Sequence, residues 1–197
     1  GQDTDGLWRT ALMESDGTPI ISFPAPTGPM LQSVDMLGTV ELPPGWLTLE
    51  EAKELQTLAT NQQVLELGSY KGRSTVVMAT TAKLVVSIDW HQGDIHIGST
   101  DTRDEFKQNT KDFSNIIPII GRFADVVPQL KDYKFDGVFV DGQHDFKSVQ
   151  DDMKLALSLK PKWIAVHDWG LFAVQPAIEE MGLTPTRIVG TLAIFDM

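Results

Sequence analysis

The 197-residue sequence contains no cysteine. A disulfide framework and a cysteine nucleophile are therefore excluded for this chain. The sequence also lacks any window that approaches the ~20 consecutive apolar residues of a membrane-spanning helix. Its N-terminus has no basic region followed by an apolar one, which is the pattern of a secretory signal. We therefore expect a cytoplasmic protein.

Positive charge is scarce, since 16 lysines and arginines stand against 27 aspartates and glutamates, for a net charge of −11. A chain with this balance is a poor binder of the phosphates of DNA or RNA, although a small nucleotide is compatible with it. The length suits one α/β domain with a substantial core and is too short for two. We therefore expect a small-molecule ligand or substrate, no nucleic-acid partner and no membrane partner, and the sequence leaves room for an oligomer.

Residues 1–47 are rich in proline and poor in regular hydrophobic periodicity, so little regular structure is predicted there. Their apolar content is too high for a free tail. We expect an N-terminal arm or lid that packs on a domain formed by residues 48–197. Thr48 and Glu51 have the spacing of a capping box, which predicts a helix at the start of that domain.

Short apolar runs then alternate with helical patterns. The predicted strands are 64–68, 84–89, 116–120, 136–141 and 163–167, and the predicted helices are 74–82, 101–113, 124–130, 145–159 and 176–181. Strands that alternate with helices predict a mainly parallel sheet with helices on both faces. The β-rich runs 186–189 and 192–195 are separated by only two residues, a link too short for a crossover, so they predict an antiparallel hairpin at the end of a seven-stranded sheet.

The stretch around Gly68 and Gly72 has the pattern of a strand, a tight turn and a helix start. Glycines permit positive φ and let a ligand approach the backbone, close to the free N–H groups at the start of the helix near Ser74. A dinucleotide fingerprint needs Gly-x-Gly-x-x-Gly, whereas the spacing here is Gly-x-x-x-Gly with Glu66 two residues before it. That carboxylate would repel a pyrophosphate, but not a cationic or hydroxyl-bearing ligand. The plainer alternative is an ordinary strand-to-helix turn.

The segment 66–72, Glu-Leu-Gly-Ser-Tyr-Lys-Gly, resembles motif I of the class I S-adenosylmethionine (SAM) methyltransferases. The resemblance implies that SAM binds at this turn and that an acid ending the second strand, here Asp89, binds the ribose hydroxyls. Trp90 either covers the adenosine or anchors its loop, and the loop with Arg122 and Phe123 stands where related enzymes contact adenine. The predicted cofactor-binding residues are Glu66, Gly68, Ser69, Tyr70, Gly72, Ser74, Asp89, Trp90, Arg122 and Phe123.

Two aspartates, Asp141 and Asp168, end neighbouring predicted strands. Neighbouring strands lie about 5 Å apart, so these carboxylates can converge on one cation, and hard oxygen ligands suit Mg²⁺ or a similar ion. In the structural alternative, Asp141 accepts hydrogen bonds from nearby loop amides and Asp168 caps the following segment. His167 is interpreted as a structural histidine rather than as a ligand.

These segments and the Trp-x-x-Gly-Asp-x-His-x-Gly pattern at 90–98 resemble the metal-assisted O-methyltransferases, particularly the macrocin type that modifies sugars, and more distantly catechol O-methyltransferase. The resemblance implies Mg²⁺ at Asp141 and Asp168, a general base at His144, and methyl transfer to a hydroxyl oxygen of a sugar or phenol; Asp141 and His144 are thus the predicted catalytic residues. Where catechol-type enzymes have an amide or acid this chain has Trp169, so a third ligand is unassigned. The alternatives are a non-catalytic SAM-binding module and a nucleotide-binding oxidoreductase.

Overall fold

The computed structural model describes residues 12–13, 19–20, 35–94 and 98–197. Most of the predicted arm and part of the 90–98 pattern therefore lie outside the described residues. The strands are β1 Leu12–Met13, β2 Pro19–Ile20, β3 Asp35–Leu37, β4 Val40–Leu42, β5 Gln63–Leu67, β6 Leu84–Asp89, β7 Gly93–Asp94, β8 Gly98–Ser99, β9 Ile116–Ile120, β10 Gly137–Val140, β11 Trp163–Val166, β12 Arg187–Val189 and β13 Leu192–Asp196. The helices are α1 Leu49–Ala59, α2 Arg73–Ala79, α3 Arg103–Thr110, α4 Phe123–Val126, α5 Phe146–Ser158 and α6 Val174–Glu180, with a 3₁₀ turn at Val127–Leu130.

Seven strands form the central sheet, in the order β12-β13-β11-β10-β5-β6-β9. The strands β11, β10, β5, β6 and β9 are parallel, and β13 runs antiparallel to both β11 and β12. This arrangement confirms the predicted mainly parallel sheet with a C-terminal antiparallel hairpin. All the parallel strands therefore end at the same edge of the sheet, where their following loops meet.

Helices cover both faces of the sheet, as predicted. One face packs on α5 and α6 through buried side chains such as Leu65, Met153 and Ile178, and the other packs on α1 and α2 through Leu55 and Met78. Every residue of β10 and β11 is buried. Continuous apolar runs are required there because both faces of these strands are covered.

Helix α1 begins with the predicted capping box. The side chain of Thr48 accepts a hydrogen bond from the backbone of Glu51, and the carboxylate of Glu51 accepts one from the backbone of Thr48. Helix α3 is shorter than the predicted 101–113. Asp101 accepts a hydrogen bond from the Arg103 amide before the helix starts, and the chain tightens after Thr110, where the Phe113 amide donates to the Thr110 carbonyl.

Part of the arm has regular structure that the proline-rich sequence does not predict. Strands β3 and β4 pair as a short antiparallel hairpin, which is possible because no proline falls between residues 35 and 42. Leu37, Leu42 and Leu47 are buried against α1 and α2. Within the described ranges, no helix has the length and apolar character needed to cross a membrane.

Candidate active site

A cavity of about 580 Å³ lies at the carboxyl edge of the parallel strands. Its walls come from the segment 45–47 and from the loops that follow β5, β6, β9, β10 and β11. Ligands of open α/β sheets bind at this edge, and a cavity of this size suits a small molecule.

The turn after β5 is held tightly against the loop after β10. Gly68 has φ +96°, and a Cβ at this position would lie 2.0 Å from the carbonyl oxygen of Asp141. A side chain there would collide with backbone, so glycine is required. The turn continues through Ser69 and Tyr70, whose backbone N–H groups donate to Oδ2 of Asp89 at 2.7 and 2.8 Å.

Asp89 ends β6, as predicted, and it lines the cavity. Its Oδ2 accepts from the turn after β5, and its Oδ1 accepts from the backbone N–H of His91 at 2.6 Å. A carboxylate oxygen can accept two hydrogen bonds, so Oδ1 keeps capacity for a hydroxyl donor of a ligand.

Glu66 is fully buried and does not line the cavity. Its two carboxyl oxygens accept hydrogen bonds from the hydroxyls of Ser74 at 2.6 Å and Thr75 at 2.5 Å. Burial raises the pKa of Glu66 to about 7, although these hydrogen bonds oppose the shift. The structure therefore places this carboxyl behind the turn, where it ties β5 to α2. Ser74 lines the cavity, whereas Gly72 does not.

Trp90 and Arg122 form one wall of the cavity together with Phe123. The guanidinium carbon of Arg122 lies 4.9 Å from the centroid of the Trp90 ring, in cation–π contact. The Trp90 ring is half exposed. This wall offers a planar surface on which an aromatic base can stack.

Two acids and two histidines meet at the ends of β10 and β11. Nε2 of His144 lies 3.0 Å from Oδ2 of Asp168 and 3.6 Å from Oδ1 of Asp141. Nδ1 of His167 lies 3.4 Å from Oδ2 of Asp168 and 3.6 Å from Oδ2 of Asp141. The backbone of Asp168 has φ +59°, a conformation that non-glycine residues adopt rarely and aspartate more readily than most. The predicted convergence of the two strand ends is thus present, together with a second histidine.

These groups shift one another's pKa values. Burial opposes ionisation of Asp141 and Asp168, but the neighbouring histidines outweigh it and hold the pKa of both carboxyls below the ordinary value. Burial likewise opposes a charge on His144, yet hydrogen bonds to the two carboxylates raise its pKa to about 10. The pKa of His167 is raised well above 6.5 for the same reason. Without a cation the cluster therefore holds its protons on the histidines.

The donor atoms fit a divalent cation. One carboxylate oxygen each from Asp141 and Asp168 and a ring nitrogen of His167 lie within 4.8 Å of one another. Carboxylate oxygens suit Mg²⁺ and Mn²⁺, and an imidazole nitrogen favours a transition metal such as Mn²⁺ over Mg²⁺. The sequence predicts a structural role for His167, whereas its position beside the two aspartates makes it a candidate ligand.

Trp169 takes no part in this donor set. It is buried, its ring packs edge-on against Phe195 with centroids 5.9 Å apart, and its backbone N–H donates to the carbonyl of Thr191. At the position where the catechol-type pattern has a metal ligand, this chain therefore has a tryptophan that packs on the C-terminal hairpin. The residue before Asp168, rather than the residue after it, can complete the donor set.

Three further residues at or next to the cavity are absent from the site residues predicted from the sequence. Trp46 lines the cavity and packs on Tyr70 with ring centroids 5.3 Å apart. Asp152 of α5 also lines it, and burial raises the pKa of its carboxyl to about 7. Glu51 lies behind the cluster, with Oε2 3.6 Å from Nε2 of His167. The capping-box pattern marks Glu51 in the sequence, but only as a helix-start residue.

The fold and the site define a class I SAM-dependent methyltransferase. A family model described as a methyltransferase domain matches residues 65–169, more than half of the chain. The chain therefore belongs to the methyltransferase domain family, which confirms the resemblance found at residues 66–72. A search of curated protein sequences finds no match.

Solved structures share the fold at low sequence identity. An O-methyltransferase from Bacillus cereus in complex with S-adenosylhomocysteine aligns with a TM-score of 0.50 and 21% identity over 64% of this chain and 60% of that chain. TomG, an O-methyltransferase from Streptomyces achromogenes in complex with SAM, aligns with a TM-score of 0.54 and 19% identity over 68% of this chain and 61% of that one. A protein from Corynebacterium glutamicum aligns with a TM-score of 0.61 and 15% identity over 79% of this chain and 82% of that one. The chain thus spans about three fifths of the length of the first two enzymes.

Proposed function

We propose that this protein transfers the methyl group of SAM to a hydroxyl oxygen of a small molecule, with a divalent cation at Asp141, His167 and Asp168 and with His144 as general base. The observation that carries the proposal is that the motif I turn and the acid–histidine cluster line one cavity. Methyl donor and hydroxyl acceptor can therefore lie side by side, as an in-line transfer requires.

SAM is assigned to the half of the cavity between the turn after β5 and the Trp90–Arg122 wall. Asp89 accepts a ribose hydroxyl on Oδ1, and the adenine lies against the rings of Trp90 and Phe123. The methionine part follows the bare backbone at Gly68 and Ser69. In this assignment Glu66, Gly72 and the Ser74 hydroxyl shape the turn rather than contact the cofactor.

The acceptor is assigned to the half of the cavity next to the cluster. A bound Mg²⁺ or Mn²⁺ would lower the pKa of an acceptor hydroxyl and offset the field of the two carboxylates. Asp141, His167 and Asp168 would hold the ion, and His144 would accept the proton of that hydroxyl. Vicinal hydroxyls of a sugar or a phenolic ring suit such a site. The acidic chain disfavours polyanions such as nucleic acid.

The segment 45–47 is proposed as the part of the N-terminal arm that covers the ligands in the cavity. Arg73 holds it in place: its buried guanidinium donates to the carbonyls of Leu47 at 2.7 Å and Pro43 at 2.8 Å and to Oδ2 of Asp35 at 2.6 Å. Trp46 is thereby kept at the cavity next to Tyr70, on the side of the turn after β5, where two aromatic rings can pack on a bound ligand.

The proposal is tested by following labelled SAM with a panel of sugar diols and catechols, in Mg²⁺, in Mn²⁺ and in chelator. We expect methylated product with either cation and little in chelator. Asp141→Asn and Asp168→Asn should bind SAM as the wild type does but lose the cation-dependent rate, because an amide is a weaker ligand for a hard cation. Asparagine also tolerates the positive φ of residue 168. The Asp168→Asn variant should therefore keep the backbone conformation of the wild type. Asp132→Asn, on the exposed surface, is the control.

The outcomes separate the alternatives. Full activity in chelator would show that the reaction does not need a divalent cation. SAM binding without turnover on any acceptor would favour a non-catalytic SAM-binding module, and NADH binding without SAM binding would favour an oxidoreductase.

A further inference from the structure

A buried carboxylate of helix α1 contacts the acid–histidine cluster. Glu51 lies in the first turn of α1 and is 1% exposed, and His167 is 4% exposed. Oε2 of Glu51 lies 3.6 Å from Nε2 of His167, whose other ring nitrogen faces Asp141 and Asp168. His167 thus stands between a carboxylate behind it and the proposed cation site in front of it.

Glu51 is itself fixed by four donors. Its Oε2 accepts from the backbone N–H and the hydroxyl of Thr48 at 2.8 and 2.7 Å, and its Oε1 accepts from the backbone N–H and the hydroxyl of Thr191 at 2.6 and 2.8 Å. The hairpin turn closes tightly on it, since a Cβ on Gly190 would lie 2.5 Å from Oε1. The side chain therefore joins the start of α1 to the β12–β13 turn and has little freedom to move.

Nε2 of His167 makes no standard hydrogen bond to any described residue, and the Glu51 carboxylate is the acceptor that faces it at ion-pair distance. A buried N–H directed at a carboxylate is favoured over a lone pair directed at one, because two acceptors repel each other. Without a cation both ring nitrogens face carboxylates and both carry protons. A bound cation would replace the proton on Nδ1, whose lone pair would then be directed between Asp141 and Asp168, while Nε2 keeps its proton towards Glu51. That tautomer is the one that can ligate a cation there.

We propose that Glu51 is a positioning residue of the methyltransferase site, which fixes the ring orientation and the Nε2–H tautomer of His167 through the carboxylate–histidine contact. The inference rests on the proposed function in one respect, which is that Nδ1 of His167 is taken to contact the proposed divalent cation. Helix capping explains the Thr48 contacts of Glu51, but a cap does not require contact with a histidine that follows another strand.

The test compares Glu51→Gln with Glu54→Gln. Both substitutions exchange an acid for an amide on α1 at a residue that contacts the C-terminal hairpin, since Glu54 accepts from Arg187 at 2.6 Å. The proteins are labelled with ¹⁵N-histidine, and the His167 resonances are assigned from a His167→Asn variant. In the wild type and in Glu54→Gln we expect a slowly exchanging Nε2–H of His167, in metal-free protein as well as with diamagnetic Mg²⁺. In Glu51→Gln this resonance should shift or exchange faster.

Mn²⁺ affinity is the second readout. Loss of a carboxylate partner of a ligating histidine weakens a metal site by about 10- to 100-fold, so Glu51→Gln should bind Mn²⁺ that much more weakly than Glu54→Gln. Unchanged His167 resonances in Glu51→Gln would overturn the positioning role whether or not Mn²⁺ binds. If the wild type binds no Mn²⁺ but the His167 resonances still differ between the wild type and Glu51→Gln, the proposed cation site is wrong and the positioning role of Glu51 is kept. If Glu51→Gln does not fold, the wild type alone still tests the proposal, because a proton on Nδ1 of His167 with diamagnetic Mg²⁺ bound would contradict it.

Discussion

Gly68 touches the backbone of Asp141, so the turn proposed to bind the methyl donor and the loop proposed to activate the acceptor share one contact. The space between them is too small for a Cβ, which would lie 2.0 Å from the Asp141 carbonyl oxygen. The two halves of the cavity are consequently built on one rigid junction at the ends of β5 and β10. A substitution that displaces the backbone at this junction should therefore disturb both halves, whereas a change of a side chain that faces the cavity need not.

Gly68→Ala tests that junction. The substitution forces a side chain into positive φ and into contact with backbone, for which a loss of about 3 kcal/mol in the free energy of unfolding is expected. For a chain of this size that corresponds to a fall in Tm of roughly 6–12 °C. Gly170→Ala is the control, because a Cβ there meets nothing within 4 Å. Equal melting temperatures for the two variants would contradict the described turn.

The raised pKa of Glu66 predicts a pH-dependent stability. The folded protein keeps the proton of this carboxyl up to about pH 7, whereas the ordinary value for the unfolded chain is 4.5. Between these values the folded state binds more protons, so stability falls as pH rises through the window, by on the order of 3 kcal/mol in total. Glu66→Gln lacks this titration. Its free energy of unfolding should therefore rise relative to that of the wild type from pH 4.5 to 7 and stay level above it.

Chemical denaturation at several pH values between 4.5 and 8.5 measures this difference. Glu180→Gln, at an exposed position of α6, serves as the matched control and should give a constant difference from the wild type. A constant difference for Glu66→Gln as well would mean that the buried carboxyl has an ordinary pKa.

His144→Gln tests the general base. Turnover should fall by about 100-fold or more, the usual contribution of a positioned base, while SAM affinity stays as in the wild type. Because the base must be deprotonated, the wild-type kcat/KM should rise with pH and then level off, and the variant should lose that dependence. With the cation removed, the pKa of His144 of about 10 leaves the base protonated near neutral pH. A His144→Gln variant that keeps the activity and the pH profile of the wild type would exclude His144 as the general base.

The sheet could be predicted from the sequence because its strands are buried on both faces. Continuous apolar runs lie at residues 137–140, followed by Asp141, and at residues 163–166, followed by His167 and Asp168. They indicate both the strands and the edge of the sheet at which the site lies. The convergence of Asp141 and Asp168 then follows from the geometry of parallel strands. The hairpin at residues 187–196 could be predicted because its two-residue link permits no other pairing.

The roles of Glu66 and His167 could not be predicted in the same way. Glu66 stands at the expected distance from Gly68, but the hydroxyls of Ser74 and Thr75 reach it only because α2 packs over that face of β5. His167 adjoins a predicted metal ligand, yet only the packed fold brings its Nδ1 to the two aspartates and its Nε2 to Glu51. Glu51 has a complete local explanation as a capping residue, so its sequence context gives no sign of a second contact.

Calorimetric titration of SAM into the wild type, Asp89→Asn and Asp132→Asn tests the central claim most directly. Asp89 accepts hydrogen bonds from the turn and has one acceptor position left for a ribose hydroxyl, whereas Asp132 is exposed and away from the cavity. The account predicts that SAM binds the wild type and Asp132→Asn equally and binds Asp89→Asn at least about 10-fold more weakly, since a lost hydrogen bond to a charged group costs about 1.5 kcal/mol or more. Equal affinity in all three proteins, or no SAM binding to the wild type, would contradict it.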